Sequence, residues 1–306
     1  MRKVIGIGET ILDIVFRNEQ PSAAVPGGSV FNGLVSLARA GVSVEFISEV
    51  GDDRVGNIIC RFLEENNIST QHINRQPDSK SPISLAFLNE NNDAEYQFYK
   101  YYDNQQLCFE LPEINEDDIV IFGSFYALNP VLRDKVLGLL ERAKANHAII
   151  YYDPNFRASH QQEALKLMPT IIENLEFADI VRGSNEDFNF MFGLKDIEKV
   201  YNDKIKFYCN NFLCTQGGEK VILKTKGLDK AYPTLPIETV STIGAGDNFN
   251  AGILFGLIHE NVRHCQLETL PEATWDKIVN YAIRFSSEVC QSYQNYVSNE
   301  FAQSLK

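Results

Sequence analysis

Thr242-Ile243-Gly244-Ala245-Gly246-Asp247 brings two glycines, a small alanine and a carboxylate to what the spacing predicts as the start of a helix, Gly246–His259. The backbone N–H groups of Gly244, Ala245 and Gly246 can approach a ligand closely, because little side chain stands in the way. A helix start leaves N–H donors unpaired and turns a positive dipole end toward the same point. Together these make an anion cradle suited to a transferring phosphoryl group. Asp247, in the first turn, can accept a proton from an attacking hydroxyl, and a loose phosphoryl-transfer transition state asks only for a modest, well-placed base. The same residue can instead simply offset the helix dipole, and the local sequence does not separate the two roles.

Further candidates stand at predicted element ends. Pro26-Gly27-Gly28-Ser29-Val30-Phe31-Asn32 precedes a helix over Ser29–Ala40. Two glycines permit an unusual turn, and Asn32, one turn in, offers a donor and an acceptor to a polyhydroxylated ligand; a plain helix start capped by Ser29 is the other reading. Asp13 lies in a strand that begins apolar, and its carboxylate suits two sugar hydroxyls or a strand-end turn. Asp153-Pro154-Asn155-Phe156-Arg157 and Thr215-Gln216-Gly217-Gly218 each follow a strand, at the edge where open α/β sheets bind ligands. Arg157 can clamp phosphate or sit in a surface loop; Thr215 to Gly218 can equally be a hairpin turn. Gly6-x-Gly8-x-x-Ile11 lacks the third glycine of a dinucleotide fingerprint, and neither a P-loop nor the protein-kinase loops occur.

The elements that must hold these residues follow from periodicity. Strands at Val4–Gly8, Ile11–Phe16 and Val44–Val50 come with helices at Ser29–Ala40 and Arg54–Asn66. A hairpin, Pro82–Asn89 with Ala94–Tyr101, carries Tyr96, Phe98, Tyr99, Tyr101 and Tyr102. From Ile119–Gly123 onward strands and helices alternate, ending in two long helices, Gly246–His259 and Trp275–Tyr293. Alternation of this kind predicts an α/β fold with a mostly parallel sheet covered on both faces, and the early strands with the hairpin form a small added sheet. The chain has 306 residues with 28 Lys and Arg against 41 Asp and Glu, a net charge of −13. That balance argues against a nucleic-acid groove and a polybasic membrane surface, and no apolar run spans a bilayer. Six scattered cysteines without C-x-x-C, and five histidines without metal spacing, predict free thiols in a reducing cytoplasm.

In this order the motifs resemble the PfkB (ribokinase-like) family of carbohydrate kinases. Gly27-Gly28-Ser29 through Asn32, with Leu37 to Gly41 and Val50-Gly51-Asp52-Asp53-x-x-Gly56, is similar to its N-terminal signature; Thr242-x-Gly244-Ala245-Gly246-Asp247 is similar to its C-terminal one. The resemblance implies a ribokinase-like three-layer α/β/α domain over 1–306 with a small β-sheet lid from about 11–25 and 82–103. It implies ATP-dependent phosphorylation of a small carbohydrate with Mg²⁺, Asp247 as base and Gly244 to Gly246 as anion hole. Asp13, Gly28, Asn32, lid Lys100 and Arg157 would meet the substrate; Asn185, Thr215, Gly217, Gly218 and Thr242 would meet ATP. Family lids often pair between subunits, so a homodimer through the lid is implied. Asp153-Pro154-Asn155-x-Arg157 is similar to fructokinase and 2-keto-3-deoxygluconate kinase members, so fructose or a related ketose or keto-sugar acid is the expected acceptor. A nucleoside kinase of the same family, or a sugar- or nucleotide-binding protein with little catalysis, is the alternative. Three departures stand out. Ser241 replaces an Asp that helps organise a monovalent-cation site in some members, so a K⁺ requirement does not carry over. Phe188 stands where the family's Asn-x-x-Glu, begun at Asn185, expects Glu, leaving Glu186 or Asp187 to hold metal through water. Lys100 stands where related fructokinases tend to have Arg.

Overall fold

The computed structural model describes residues 2–88, 94–101 and 111–305. Its strands are β1 (Lys3–Ile7), β2 (Ile11–Arg17), β3 (Gln20–Gly27), β4 (Ser43–Gly51), β5 (Ile73–Gln76), β6 (Lys80–Leu88), β7 (Ala94–Tyr101), β8 (Ile119–Gly123), β9 (Ile149–Asp153), β10 (Ile180–Ser184), β11 (Asn211–Gln216), β12 (Lys220–Lys224) and β13 (Asp229–Pro233). Its α-helices are α1 (Ser29–Arg39), α2 (Arg54–Glu65), α3 (Arg133–Ala145), α4 (Ala164–Phe177), α5 (Asn185–Phe192), α6 (Ile197–Val200), α7 (Ala245–His259), α8 (Glu272–Cys290) and α9 (Asn299–Ser304).

A nine-stranded sheet runs β13-β12-β11-β10-β9-β8-β1-β4-β5. It is parallel from β5 through β11 and antiparallel over the last two strands, β12 and β13. Its strands are apolar because both faces are covered. In β9, Ile149 and Tyr151 pack with α1, α7 and α8, while Ile150 and Tyr152 pack with α3 and α4 on the other side. The two-residue period of the strand thus feeds two cores, and three layers result. Gly252 and Gly256 on α7 let α8 pack close: a Cβ at Gly252 would stand 2.4 Å from the Cα of Ala282.

A second sheet, ordered β3-β2-β6-β7, stands apart from the first. The expected hairpin is present as antiparallel β6 and β7, and β2 lies parallel to β6. Residues 89–93, 102 and 103 of the sequence-based lid segment lie outside the described residues. Phe98 and Tyr99 are exposed on β7, and Phe16 of β2 stacks on Phe87 of β6 with centroids 4.8 Å apart.

Two strands escaped the sequence pattern. β3 is an edge strand, exposed over its first five residues, with Pro21 opposite a register shift in β2; no inward-facing alternation marks it. β5 has four residues on the far edge of the large sheet. A 3₁₀ segment, Ala158–Glu163, leads into α4. Cys60, Cys209, Cys214, Cys265 and Cys290 are free thiols; Cys108 lies outside the described residues.

Candidate functional site

The two glycine-marked turns meet at the carboxyl edge of the large sheet. Gly244 takes φ +76° and caps α7 without a side chain. The Ala245 N–H turns back to the Thr242 carbonyl at 3.2 Å, and the first helical bond runs from Asn248 N to the Gly244 carbonyl at 2.9 Å. The amides of Gly246 and Asp247 precede that bond and are the cradle's own donors, so Ala245 contributes shape more than a free amide. Thr242 is exposed beside it.

Asp247 is partly buried in the first turn of α7. Burial pushes its carboxyl up to about 7; a hydrogen bond from Asn32 and the charges of Arg157 and Arg182 act against that rise, and Asp153 adds to it. Asn32, 5% exposed on α1, donates from Nδ2 to Asp247 Oδ2 at 2.8 Å. Its Oδ1 is buried with no hydrogen-bond partner among the described residues. Asp13 is buried in β2 and accepts a short hydrogen bond from Ser84 Oγ on β6, which ties it to the small sheet. Gly28 has φ +140°, and a Cβ there would stand 2.3 Å from the Glu9 carbonyl, so only glycine fits the turn leading into α1. Asp13, Gly28 and Asn32 therefore lie on one side of Asp247.

Beneath the cradle sits a buried ion pair that no sequence motif announced. Arg182 of β10 meets Asp153 of β9, Nη1 to Oδ2, at 3.1 Å, and donates from Nη2 to Thr215 Oγ1 of β11 at 2.7 Å. Asn250 of α7 donates to the same Asp153 oxygen at 2.5 Å and accepts from the Tyr151 hydroxyl at 2.9 Å. A Cβ on Gly246 would stand 3.0 Å from Arg182 Nη1, so the guanidinium lies directly against the cradle. Three strand ends and α7 are locked together by this network. Burial works most strongly against the Arg182 charge, but Asp153, Tyr151 and Asp187 together outweigh it and hold the guanidinium above its ordinary range. The available signal was a charged residue in the apolar strand Ile180-Val181-Arg182-Gly183.

The remaining candidates ring this centre. Arg157 is exposed at the head of the 3₁₀ segment, and its charge is felt at Asp247. Thr215 ends in the Arg182 bond, while Gly217, at φ +54°, and Gly218 form an exposed turn with open space where a Cβ would go. Asn185 begins α5. Ser184 caps α5, and Asp187 accepts from both the Ser184 N–H, 2.7 Å, and Oγ, 2.8 Å. Burial and the nearby Asp153 raise the Asp187 carboxyl above its usual range. Glu186 is exposed, and Phe188 points away into the core between Phe192 and Phe212. Ser241 spends its Oγ on the Ile243 N–H at 3.2 Å. Lys100 lies on β7, but its side chain is outside the described residues. Among the described residues no three His, Cys, Asp or Glu side chains converge as a metal cage, and no helix is long and apolar enough to cross a membrane.

Comparison with known proteins finds carbohydrate kinases. A 5-dehydro-2-deoxygluconokinase of Geobacillus thermodenitrificans is 30% identical over 247 residues, covering 76% of this chain and 72% of its own. A fructokinase of Rhizobium leguminosarum bv. trifolii is 28% identical over 268 residues, 85% of this chain and 81% of its own. Among solved structures, a double mutant of Vibrio cholerae O395 fructokinase bound to fructose, ADP and potassium ion superposes with a TM-score of 0.87 at 21% identity, covering 100% of this chain and 98% of its own. Aminoimidazole riboside kinase of Salmonella enterica, with its riboside and an ATP analogue, superposes at 0.82 with 20% identity, covering 99% and 98%. The model of the pfkB family carbohydrate kinases matches residues 1–301, so the chain belongs to that family and is an ATP-dependent sugar kinase with an α/β, ribokinase-like fold.

Proposed function

We propose that the acceptor is fructose or a related ketose or keto-sugar acid, and that Asp247 takes the proton from the hydroxyl that attacks the γ-phosphoryl group of ATP. The observation that carries the reading is the Asn32–Asp247 hydrogen bond of 2.8 Å, which sets a carboxylate held near pH 7 beside the glycine cradle. A base with that value is half-ionised at neutral pH and can both take and release a proton. Asp13, Gly28 and Asn32 hold the sugar; the amides after Gly244 and the Arg182 charge behind them face the negative charge that spreads over the transferring group. Arg157 reaches the phosphate from solvent. Asn185, Thr215, Gly217, Gly218 and Thr242 line the nucleotide side. Lys100 lies on β7 of the small sheet, which acts as the lid.

Mg²⁺ keeps several waters and binds through one or two carboxylates plus phosphates. The donor set fits that habit: buried Asp187 and exposed Glu186 stand at the strand end, with Asp153 near Asp187. When bound, the ion neutralises charge on the phosphates. The exposed Phe98 and Tyr99 of β7 support pairing of two lids in a homodimer, and the free thiols support a cytoplasmic setting. The test is coupled ADP release over hexoses, pentoses, keto-sugar acids and nucleosides, with and without K⁺. Highest kcat/KM on a ketose or keto-sugar acid supports the reading. A preference for a nucleoside overturns the acceptor, and binding without turnover on any compound overturns the kinase assignment of the site.

A further inference from the structure

The segment after α8 folds back over both glycine turns. Asn248 Nδ2 donates to the Asn295 carbonyl at 2.8 Å and to the Gly244 carbonyl at 2.8 Å, so one side chain fastens Asn295 to the cradle turn. Next in sequence, the Tyr296 hydroxyl donates to the Pro26 carbonyl at 2.8 Å, and the Val297 N–H to Ser36 Oγ at 3.1 Å. Asn295 is thus held rigidly by its backbone, and its side chain, 6% exposed, is not what anchors it. The carboxamide instead enters the space over Gly27. A Cβ on Gly27 would stand 3.0 Å from Asp13 Oδ2, 3.4 Å from Asn32 Oδ1 and 3.5 Å from Asn295 Nδ2. Three polar atoms from three distant parts of the chain surround a spot kept clear by the absence of a side chain.

Their chemistry is complementary. The Asp13 carboxylate is an acceptor. Asn32 already donates to Asp247, which fixes its amide and leaves Oδ1 as an acceptor; that atom is buried and unpartnered among the described residues. An unmet buried acceptor costs about 1–3 kcal/mol unless a ligand meets it. Asn295 Nδ2 is a donor. Two acceptors and one donor match adjacent hydroxyls, each giving its proton to an acceptor while one oxygen receives from Asn295.

We propose that Asn295 contacts the acceptor sugar and sets its specificity, donating from Nδ2 to a hydroxyl oxygen of a vicinal diol held over Gly27 by Asp13 and Asn32. This rests on the sugar-kinase reading and deepens it. A site built to bond a hydroxyl discriminates strongly against analogues lacking it, because its buried polar groups are then stranded.

The test compares wild type with Asn295→Ala and with the isosteric Asn295→Asp, which turns the donor into an acceptor facing Asp13. Sugar and ATP are titrated separately by calorimetry, and KM is measured for the best sugar and each of its monodeoxy analogues. Loss of one neutral hydrogen bond predicts a sugar KM about tenfold higher in Asn295→Ala, a larger rise in Asn295→Asp, and ATP affinity unchanged in both. One monodeoxy analogue, the one lacking the partner hydroxyl, is handled equally by wild type and Asn295→Ala. An unchanged sugar KM, an equal loss of ATP affinity, or equal penalties across all analogues overturns the proposal. If wild type turns over no sugar but binds one, the kinase reading fails and the sugar calorimetry still decides Asn295; if no sugar binds, both fail.

Discussion

Asn32 on α1 and Asp247 on α7, 215 positions apart, are joined by one hydrogen bond of 2.8 Å between Nδ2 and Oδ2. That contact couples the residue proposed to bind the sugar to the residue proposed as base. Their helices lie close because Gly33 follows Asn32: a Cβ there would stand 3.0 Å from the Asp247 carbonyl.

The bond has a pH consequence. Burial raises the Asp247 carboxyl to about 7, and the Asn32 donor acts against that rise by stabilising the ionised form. The ionised base is the active one, so kcat/KM should climb with pH and level off above about 7. Asn32→Ala removes the stabilising donor, so its acidic limb should move to higher pH. A pH profile in which Asn32→Ala moves the limb downward contradicts the assignment.

The same shift has a stability sign. A carboxyl whose folded value is raised makes the folded state hold its proton. Its contribution is fully present below the unfolded value of about 4 and is lost as pH rises from there to about 7. Asp247→Asn removes that penalty. Its Tm should exceed that of wild type at pH 8 and match it at pH 4, measured by calorimetric scans.

Arg182 and Asp153 form a buried pair at 3.1 Å. Removing one partner strands the other charge, so Arg182→Met should lose about 3–5 kcal/mol in denaturant unfolding. The double variant Arg182→Met with Asp153→Leu should recover part of that stability, since neither charge is left unpaired, while activity stays lost because the cradle has lost its backing charge. Recovery of activity along with stability would show the pair to be scaffolding alone.

Phe188 tests which residue stands in the site. It is wholly buried, and a Cβ on Gly183 would lie 2.6 Å from its ring. Phe188→Glu, which restores the residue type the motif expects, should unfold the protein or lower its stability by at least about 3 kcal/mol. Asp187→Asn should leave folding largely intact and raise the Mg²⁺ concentration needed for half-maximal rate. Gain of activity in Phe188→Glu is the contrary result.

Much of this was legible along the chain. Alternating βαβ units gave the parallel sheet, because each strand buried on both faces reads as a short apolar run between amphipathic helices. Gly244 to Asp247, and Gly28 with Asn32, were visible because glycine turns feeding helix starts leave a local trace. What was not legible depends on contacts remote in sequence. β3 is exposed and small-residued, so no alternation marks it. Asn295 has no motif of its own; it matters because Asn248 and Tyr296 pin the segment around it over the two turns. The Ser184–Asp187 cap was not legible either, since only its geometry distinguishes those residues from their neighbours.

The most direct test of the account is the turnover of Asp247→Asn with fructose and ATP, measured as ADP release alongside calorimetric binding of both ligands. The expected result is a kcat lower by about 10²–10⁴, with both dissociation constants near those of wild type and the fold retained. A variant that phosphorylates sugar at close to the wild-type rate would contradict it, because the proton of the attacking hydroxyl would then leave by a route that does not involve Asp247.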